Sequence, residues 1–194
     1  MPTDDDLADA LSAARVGEEH GFAVLWRALH PAVLRYLRVV AGDAAEDAAS
    51  ETWLQVARDL DRFTGDPAAF RGWLFRIARH RGIDELRRAG RRREEPAETV
   101  DAGPASRDAA AEVIECADTA WALSRIAALP TDQAEAVMLR VVAGLDVAAT
   151  AQVLGKRRGA VRVATMRGLR RLAADPQVRD RAPESPRFEA AEEV

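Results

Sequence analysis

The sequence predicts an all-α protein, two small helical domains joined by a flexible linker. Three observations carry that expectation. Alanine and leucine are plentiful while aromatic residues make up only 5% of the 194, a balance that favours helix over sheet. Apolar residues recur at spacings of three and four in nearly every periodic stretch, and strand-like alternation stands out nowhere. Between the periodic stretches lies RRREEPAETVDAGPASRDAA, with two prolines, one glycine and a single large apolar residue, Val100. Such a segment cannot bury enough apolar surface to order itself.

Taken in order, 18–41 carries Phe22, Leu25, Trp26, Leu29, Val33, Leu34, Leu37 and Val40 on a helical period, and Pro31 is expected to break or kink it after Leu29. Gly42 and Asp43 mark a stop and a fresh start. A helix over about 44–62 then sets Ala49, Trp53, Val56 and Leu60 on one face, with Glu46, Asp47, Glu51 and Asp59 on the other. Thr64-Gly65-Asp66-Pro67 reads as a loop, with Pro67 in the first turn of the next helix.

After the gap, Ala120, Leu123, Ile126 and Ala127 form a helix face that ends at Leu129-Pro130, and Thr131 or Asp132 is expected to cap the helix that follows. Asp146 caps a short helix over 147–154, Gly155 closes it, and a last helix runs over about 159–173. The expected organisation is an acidic N-terminal extension (1–17), a first domain (18–90), a linker (91–112), a second domain (113–174) and a disordered tail (175–194).

Charge is distributed unevenly. The formal net charge is −4, yet Phe70 to Arg93 holds nine arginines against Asp84 and Glu85. Phe70, Trp73, Leu74, Ile77 and Ala78 fit a buried stripe, and Arg71, Arg76, Arg79, Arg87 and Arg88 mostly project elsewhere. Arginines interleaved with aromatics suit a polyanion whose bases can stack. A second concentration lies in 146–172, which has the layout of a helix-turn-helix. Val161, Thr165, Gly168, Leu169 and Leu172 are expected inside, and Arg158, Arg162, Val163 and Arg167 outside. Lys156, the only lysine, through Arg171 gives seven basic residues and no acid, a layout that fits a major groove.

Other classes find no support. Cys116, the only cysteine, excludes an intrachain disulfide and a cysteine metal cluster. The histidines, His20, His30 and His80, form neither a Glu-x-x-His pair nor HExxH, and no phosphate loop precedes a helix. No catalytic residue, metal or cofactor is therefore expected. The acidic N-terminus resembles neither a secretory signal nor a membrane span, so a cytoplasmic protein without membrane insertion is expected.

The residues resemble an extracytoplasmic function (ECF, group 4) sigma factor of the sigma-70 family, a specificity subunit of bacterial RNA polymerase. Trp73-Leu74-x-x-Ile77-Ala78-Arg79-His80-x-x-x-Asp84-x-x-Arg87 is similar to the region-two signature WLxxIAxNxxxDxxR. Ala45-Glu46-Asp47 with Glu51-Thr52-Trp53 resembles the AEDxxQExF segment. Leu129-Pro130-x-x-Gln133-x-Glu135, Leu139-Arg140 and Gly144-Leu145 look like the opening of region four, and Gly155 to Leu172 resembles its recognition helix.

The resemblance implies that Asp43, Glu46, Asp47, Glu51 and Gln55 dock on the clamp helices of the polymerase's largest subunit. It further implies that region four meets the flap region and that Phe63, Thr64, Phe70, Arg71, Arg76, Arg79, His80 and Arg87 hold the separated minus-ten strand. Arg157, Arg158, Arg162, Val163 and Arg167 would then read the minus-thirty-five duplex, with promoter DNA, core RNA polymerase and an anti-sigma factor as partners. His80 stands where the family usually has asparagine, and Arg157 replaces a usual serine before the recognition helix. A helix-turn-helix regulator that binds operator DNA without polymerase would account for 146–172 equally well. It leaves the arginine–aromatic helix of the other domain unexplained.

Overall fold

Eleven apolar side chains of the first four helices are almost wholly inaccessible, and they set the architecture: Leu25, Val33, Tyr36, Leu37, Ala48, Ala49, Val56, Phe70, Leu74, Phe75 and Ala78. The structure, a computed structural model, describes residues 4–94 and 117–181, and no strand occurs among them. The N-terminal unit comprises α1 (Asp4–Arg15), α2 (Glu19–Ala41), α3 (Ala45–Asp59) and α4 (Pro67–Glu94). Short 3-10 turns, Gly42–Ala44 and Leu60–Arg62, flank α3.

α2 runs unbroken through Pro31, against the expected break. Proline removes one backbone donor, but Leu25, Leu29, Val33, Tyr36 and Leu37 pack on both sides of it. Burying each large side chain contributes about 1.5–3 kcal/mol, enough together to outweigh one interrupted turn. α1 also departs from expectation. The segment read as an extension is a helix that lays Leu7, Ala10, Leu11 and Ala14 against α2. Its apolar spacing of three and four is masked in the sequence by flanking acids.

α3 buries Ala49, Trp53 and Val56, and Leu60 joins them from the following turn, as the periodicity predicts. His30 stacks on Trp26 at 4.6 Å and accepts a hydrogen bond from Trp53 Nε1 at 3.2 Å, which ties α2 to α3. α4 begins at Pro67 as expected, and its cap is Asp66, whose Oδ1 accepts from the Ala69 N–H at 2.7 Å. The helix extends through Glu94, past the expected start of the linker; positions 95–112 lie outside the described residues, as does Cys116.

The C-terminal unit holds α5 (Ala117–Ala127), α6 (Thr131–Val137) with a π-helical continuation Met138–Val142, α7 (Val147–Leu154), α8 (Arg158–Ala174) and α9 (Pro176–Arg181). Thr131 lies inside the first turn of α6 and Pro130 occupies the cap position, so neither Thr131 nor Asp132 caps. Asp132 instead approaches Lys156 at 3.8 Å. Asp146 caps α7 by accepting from the Ala149 N–H at 2.6 Å, and Gly155 closes it in the left-handed region at φ 63°.

On α8, Val161, Ala164 and Gly168 face inward, whereas Leu169 is 44% exposed, so the inner stripe is narrower than expected. Residues 176–181, read as tail, form α9. Arg125 bonds Gln177 at 3.0 Å and approaches Asp175 at 3.6 Å, and Arg181 lies 4.9 Å over the Trp121 ring. Residues 182–194 lie outside the description. The two units share a continuous apolar core: α2 packs on α5, α6 and the π-helical segment, and α4 packs on α7.

Candidate nucleic-acid interface

Three surfaces carry the residues singled out from the sequence. The first is the outer side of α3 with the turn before it. Asp43, Glu46 and Asp47 are exposed there, and Glu51 and Gln55 are half-buried. The i, i+4 spacing of 47, 51 and 55 places them in one row, and Leu54, 54% exposed, sits beside that row. Gln55 accepts from Arg81 Nη2 at 2.8 Å and Nε at 3.1 Å, so it braces α3 against α4. Leu54 was missed because it lies off the periodic core stripe, and only its exposure identifies it.

The second surface joins the loop before α4 to the first turns of that helix. Phe63, Phe70 and Trp73 form an aromatic cluster, with centroids 5.5 Å apart for Phe63–Phe70 and 5.1 Å for Phe63–Trp73. Asp66 fixes the start of α4 and so fixes the angle of the loop carrying Phe63 and Thr64. Phe70 is 1% exposed and therefore sets the orientation of Phe63 from below instead of offering a face to a base, a correction to its expected strand contact. Trp73, expected in the core, is half-buried and lines a cleft of about 470 Å³ with Arg62, Phe63, Thr64 and Arg76. The far wall of this cleft is α7, through Ala149, Gln152 and Val153.

The remaining members of the minus-ten set diverge. Arg71 lines an adjoining cleft of about 290 Å³ against Leu145, Asp146 and Ala148. His80 and Arg87 are exposed, and Arg87 lies 4.0 Å from Asp84. Arg79 turns away from the cleft, with its Nε donating to Glu135 Oε1 at 2.8 Å and its Nη2 to Oε2 at 3.4 Å. Tyr36 OH donates to the same Oε1 at 3.2 Å. Burial opposes the Arg79 charge, but the hydrogen bond and the charge of Glu135 outweigh it and raise its pKa. Burial first, then the neighbouring Glu135 charge, pushes the Tyr36 hydroxyl well above its ordinary range, so it stays a donor.

The third surface is the outer face of α8. Arg157, Arg158, Arg162, Val163 and Arg167 are all exposed, and Val163 and Met166 form a narrow apolar strip, 41% and 43% exposed, between the arginines. The strip suits thymine methyls and the flanking guanidinium groups suit phosphates and guanine edges. Met166 follows Val163 by three positions, which puts it on the same outer face, and only its exposure identifies it.

Two family models match in chain order: Sigma-70 region 2 over residues 25–92 and Sigma-70 region 4 over residues 120–172. The chain belongs to the sigma-70 family. Region 2 thus falls on α2–α4 and region 4 on α5–α8. The ECF RNA polymerase sigma factor BldN of Streptomyces coelicolor is 34% identical over 170 residues, which span 86% of this chain and 64% of that protein. The ECF RNA polymerase sigma factor SigD of Mycobacterium tuberculosis is 34% identical over 185 residues, spanning 89% of this chain and 85% of that protein. These relatives place the chain in the ECF group, as a polymerase-associated sigma factor and not a free-standing helix-turn-helix regulator.

Among solved structures, the sigma factor RpoE of Bartonella quintana in complex with the anti-sigma factor NepR shares the fold. Its TM-score is 0.58 at 22% identity, covering 79% of this chain and 94% of that one. Sigma factors are transcription initiation factors. No group of metal-ligating side chains occurs among the described residues, and no helix there is long and apolar enough to cross a membrane.

Proposed function

We propose that this sigma factor divides promoter recognition between its two regions while the polymerase carries out all the chemistry. In region 2 the row Asp43, Glu46, Asp47, Glu51 and Gln55, with Leu54 beside it, docks on the clamp helices of core polymerase. The Phe63 loop and the first turns of α4 hold the separated minus-ten strand. Phe63 and Trp73 supply aromatic faces, Thr64 a hydroxyl, and Arg62, Arg71, Arg76, Arg79, His80 and Arg87 the donors. In region 4, Arg157, Arg158, Arg162, Val163 and Arg167 read the minus-thirty-five duplex from the outer face of α8, and the flap region takes the opposite side.

One observation carries the reading. A half-buried aromatic pair lines a cleft between exposed Arg62 and Arg76 on one unit, and the other unit presents a basic helix with an apolar strip. Stacking on the first contributes about 1–3 kcal/mol per base, on the scale needed to hold bases apart from their partners. Acting on polymerase and promoter, the chain works in the cytoplasm. An anti-sigma factor is its proposed inhibitor, in keeping with RpoE, which was solved with one.

Run-off transcription with purified core polymerase on randomised promoters tests the whole. Enrichment of two separated sequence blocks supports it. Failure of the chain to associate with core, or to direct it to any template, overturns it.

A further inference from the structure

Several arginines of this fold pair with carboxylates, and those of α8 do not. Arg79, Arg88, Arg125 and Arg181 each have an acidic neighbour. The seven basic residues from Lys156 to Arg171 are all exposed. Lys156 approaches Asp132, but the six arginines after it have no acidic partner among the described residues. Between them run Val163, Met166 and Leu169, 41%, 43% and 44% exposed. The outer face of α8 thus presents uncompensated positive charge around an apolar strip.

The chain that follows α8 is anchored beside it. α9 packs on α8 and is held to α5: Arg125 bonds Gln177 at 3.0 Å, while Arg181 pairs with Asp118 and lies 4.9 Å over the Trp121 ring. Residues 182–194 therefore start from the surface of the C-terminal unit. Those thirteen residues hold Glu184, Glu189, Glu192 and Glu193 against a single basic residue, Arg187, together with one aromatic, Phe188. Thirteen residues reach at most about 43–47 Å, whereas α8, seventeen residues long, measures about 25 Å.

We propose that residues 182–194 dock on the outer face of α8 and compete there with promoter duplex. The glutamates meet the arginines of α8, and Phe188 covers the strip of Val163, Met166 and Leu169. The docking stands on the charge, the strip and the anchor, while the competition rests on the functional reading of α8 given above. A tethered segment acts at high effective concentration, so contacts too weak to hold a free peptide hold an attached one. Where the segment covers α8 in about nine molecules of ten, apparent affinity for duplex falls about tenfold. A second tie to the promoter, through region 2 and core polymerase, raises the local concentration of duplex and displaces the segment.

Oxidation of Met166 in the full chain, without DNA or polymerase, tests the docking. Met138 is fully buried, so Met166 is the exposed methionine among the described residues. Dilute hydrogen peroxide converts an accessible thioether to the sulfoxide, and mass spectrometry of proteolytic peptides follows the rate. One comparison chain carries Phe188→Ala with Glu184→Gln, Glu189→Gln, Glu192→Gln and Glu193→Gln; a second carries Phe188→Ala alone, which leaves the net charge unchanged. At low ionic strength Met166 should oxidise about tenfold more slowly in the parent chain than in the first variant, in proportion to the uncovered fraction. Added salt should shrink the difference by screening the charges. A fluorescein-labelled duplex of mixed sequence should bind the first variant about tenfold more tightly than the parent, with Phe188→Ala moving both readouts in the same direction.

Slower oxidation in the parent than in either variant, at every protein concentration and with weaker duplex binding, supports both parts. Equal oxidation rates in the three chains overturn the docking. Protection that fades on dilution places the segment on a second copy and overturns docking within one chain. A protected Met166 with equal duplex affinity for the parent and Phe188→Ala overturns the competition. If none of the three chains binds duplex, alone or with core polymerase, the reading of α8 fails and takes the competition with it, while Met166 still decides the docking.

Discussion

Gly21→Ala sets two effects of opposite sign against each other at a single atom. Gly21 lies in the first turns of α2, where α1 crosses so closely that an added Cβ would sit 2.6 Å from the Ala14 N, 2.7 Å from the Ala10 carbonyl oxygen and 2.8 Å from the Ala13 Cβ. Two of these neighbours are backbone atoms, which cannot rotate away, so α1 itself must move. Helix propensity alone favours alanine by about 1 kcal/mol. Overpacking of this kind costs about 1–3 kcal/mol and more where backbone must shift.

What stands to be lost is the docking of Leu7 and Leu11, 2% and 4% exposed, each worth about 1.5–3 kcal/mol. A net loss of about 1–2 kcal/mol is expected, which for a chain of this length lowers the melting temperature by roughly 2–8 °C. Gly21→Val should be worse. Trypsin should cut Arg15 sooner in both variants, because a displaced α1 exposes its last turn. α1 also packs against the turn Leu60–Arg62 that precedes Phe63, so strand capture should weaken alongside stability. A melting temperature equal to or above that of the parent protein, with unchanged cutting at Arg15, would refute the reasoning.

Three further outcomes test the surfaces. Phe63→Ala should slow open-complex formation on a permanganate-footprinted promoter by the loss of about 1–3 kcal/mol of stacking, with core binding unchanged. Arg162→Ala and Arg167→Ala should each weaken upstream docking and, where a phosphate is contacted, lower the salt slope of binding by about one; equal loss of melting in both variants would contradict the division between regions. His30 is held below its ordinary value of 6.5, first by burial and then by the Arg38 charge, so the unfolded chain binds its proton more readily. Stability present above pH 6.5 is therefore lost as the pH falls through it. Melting followed between about pH 7.5 and 5.5, either side of the histidine range, should show that decline, reduced in His30→Asn, which keeps an acceptor for Trp53 but cannot titrate.

Much of the secondary structure was legible because helices announce themselves by period and punctuation. Ala49, Trp53, Val56 and Leu60 fell on one face as their spacing predicted, and Pro67, Asp146 and Gly155 sit at the helix ends where local chemistry puts them. Misreadings occurred where tertiary packing overrode a local rule. Pro31 carries a helix-breaking signal that the buried residues around it outweigh. Leu169 fits the inner period of α8 yet stays exposed, because Gly168 lets α8 approach Val137 and Gln133 so closely that the inner stripe narrows.

The sequence by itself determined the family, the order of its two regions and the residue types each presents, since these depend on composition, period and motif within a single stretch of chain. Only the tertiary structure decided which of those residues are available. Phe70 and Phe63 are alike in type, but one is buried and the other faces a cleft. Arg76 and Arg79 stand three apart on one helix, yet Glu135, more than fifty positions away, engages only the second. No spacing rule reaches across such a separation. A contact of that range is set by how whole helices pack, through the combined burial of many side chains and not through any local sequence signal.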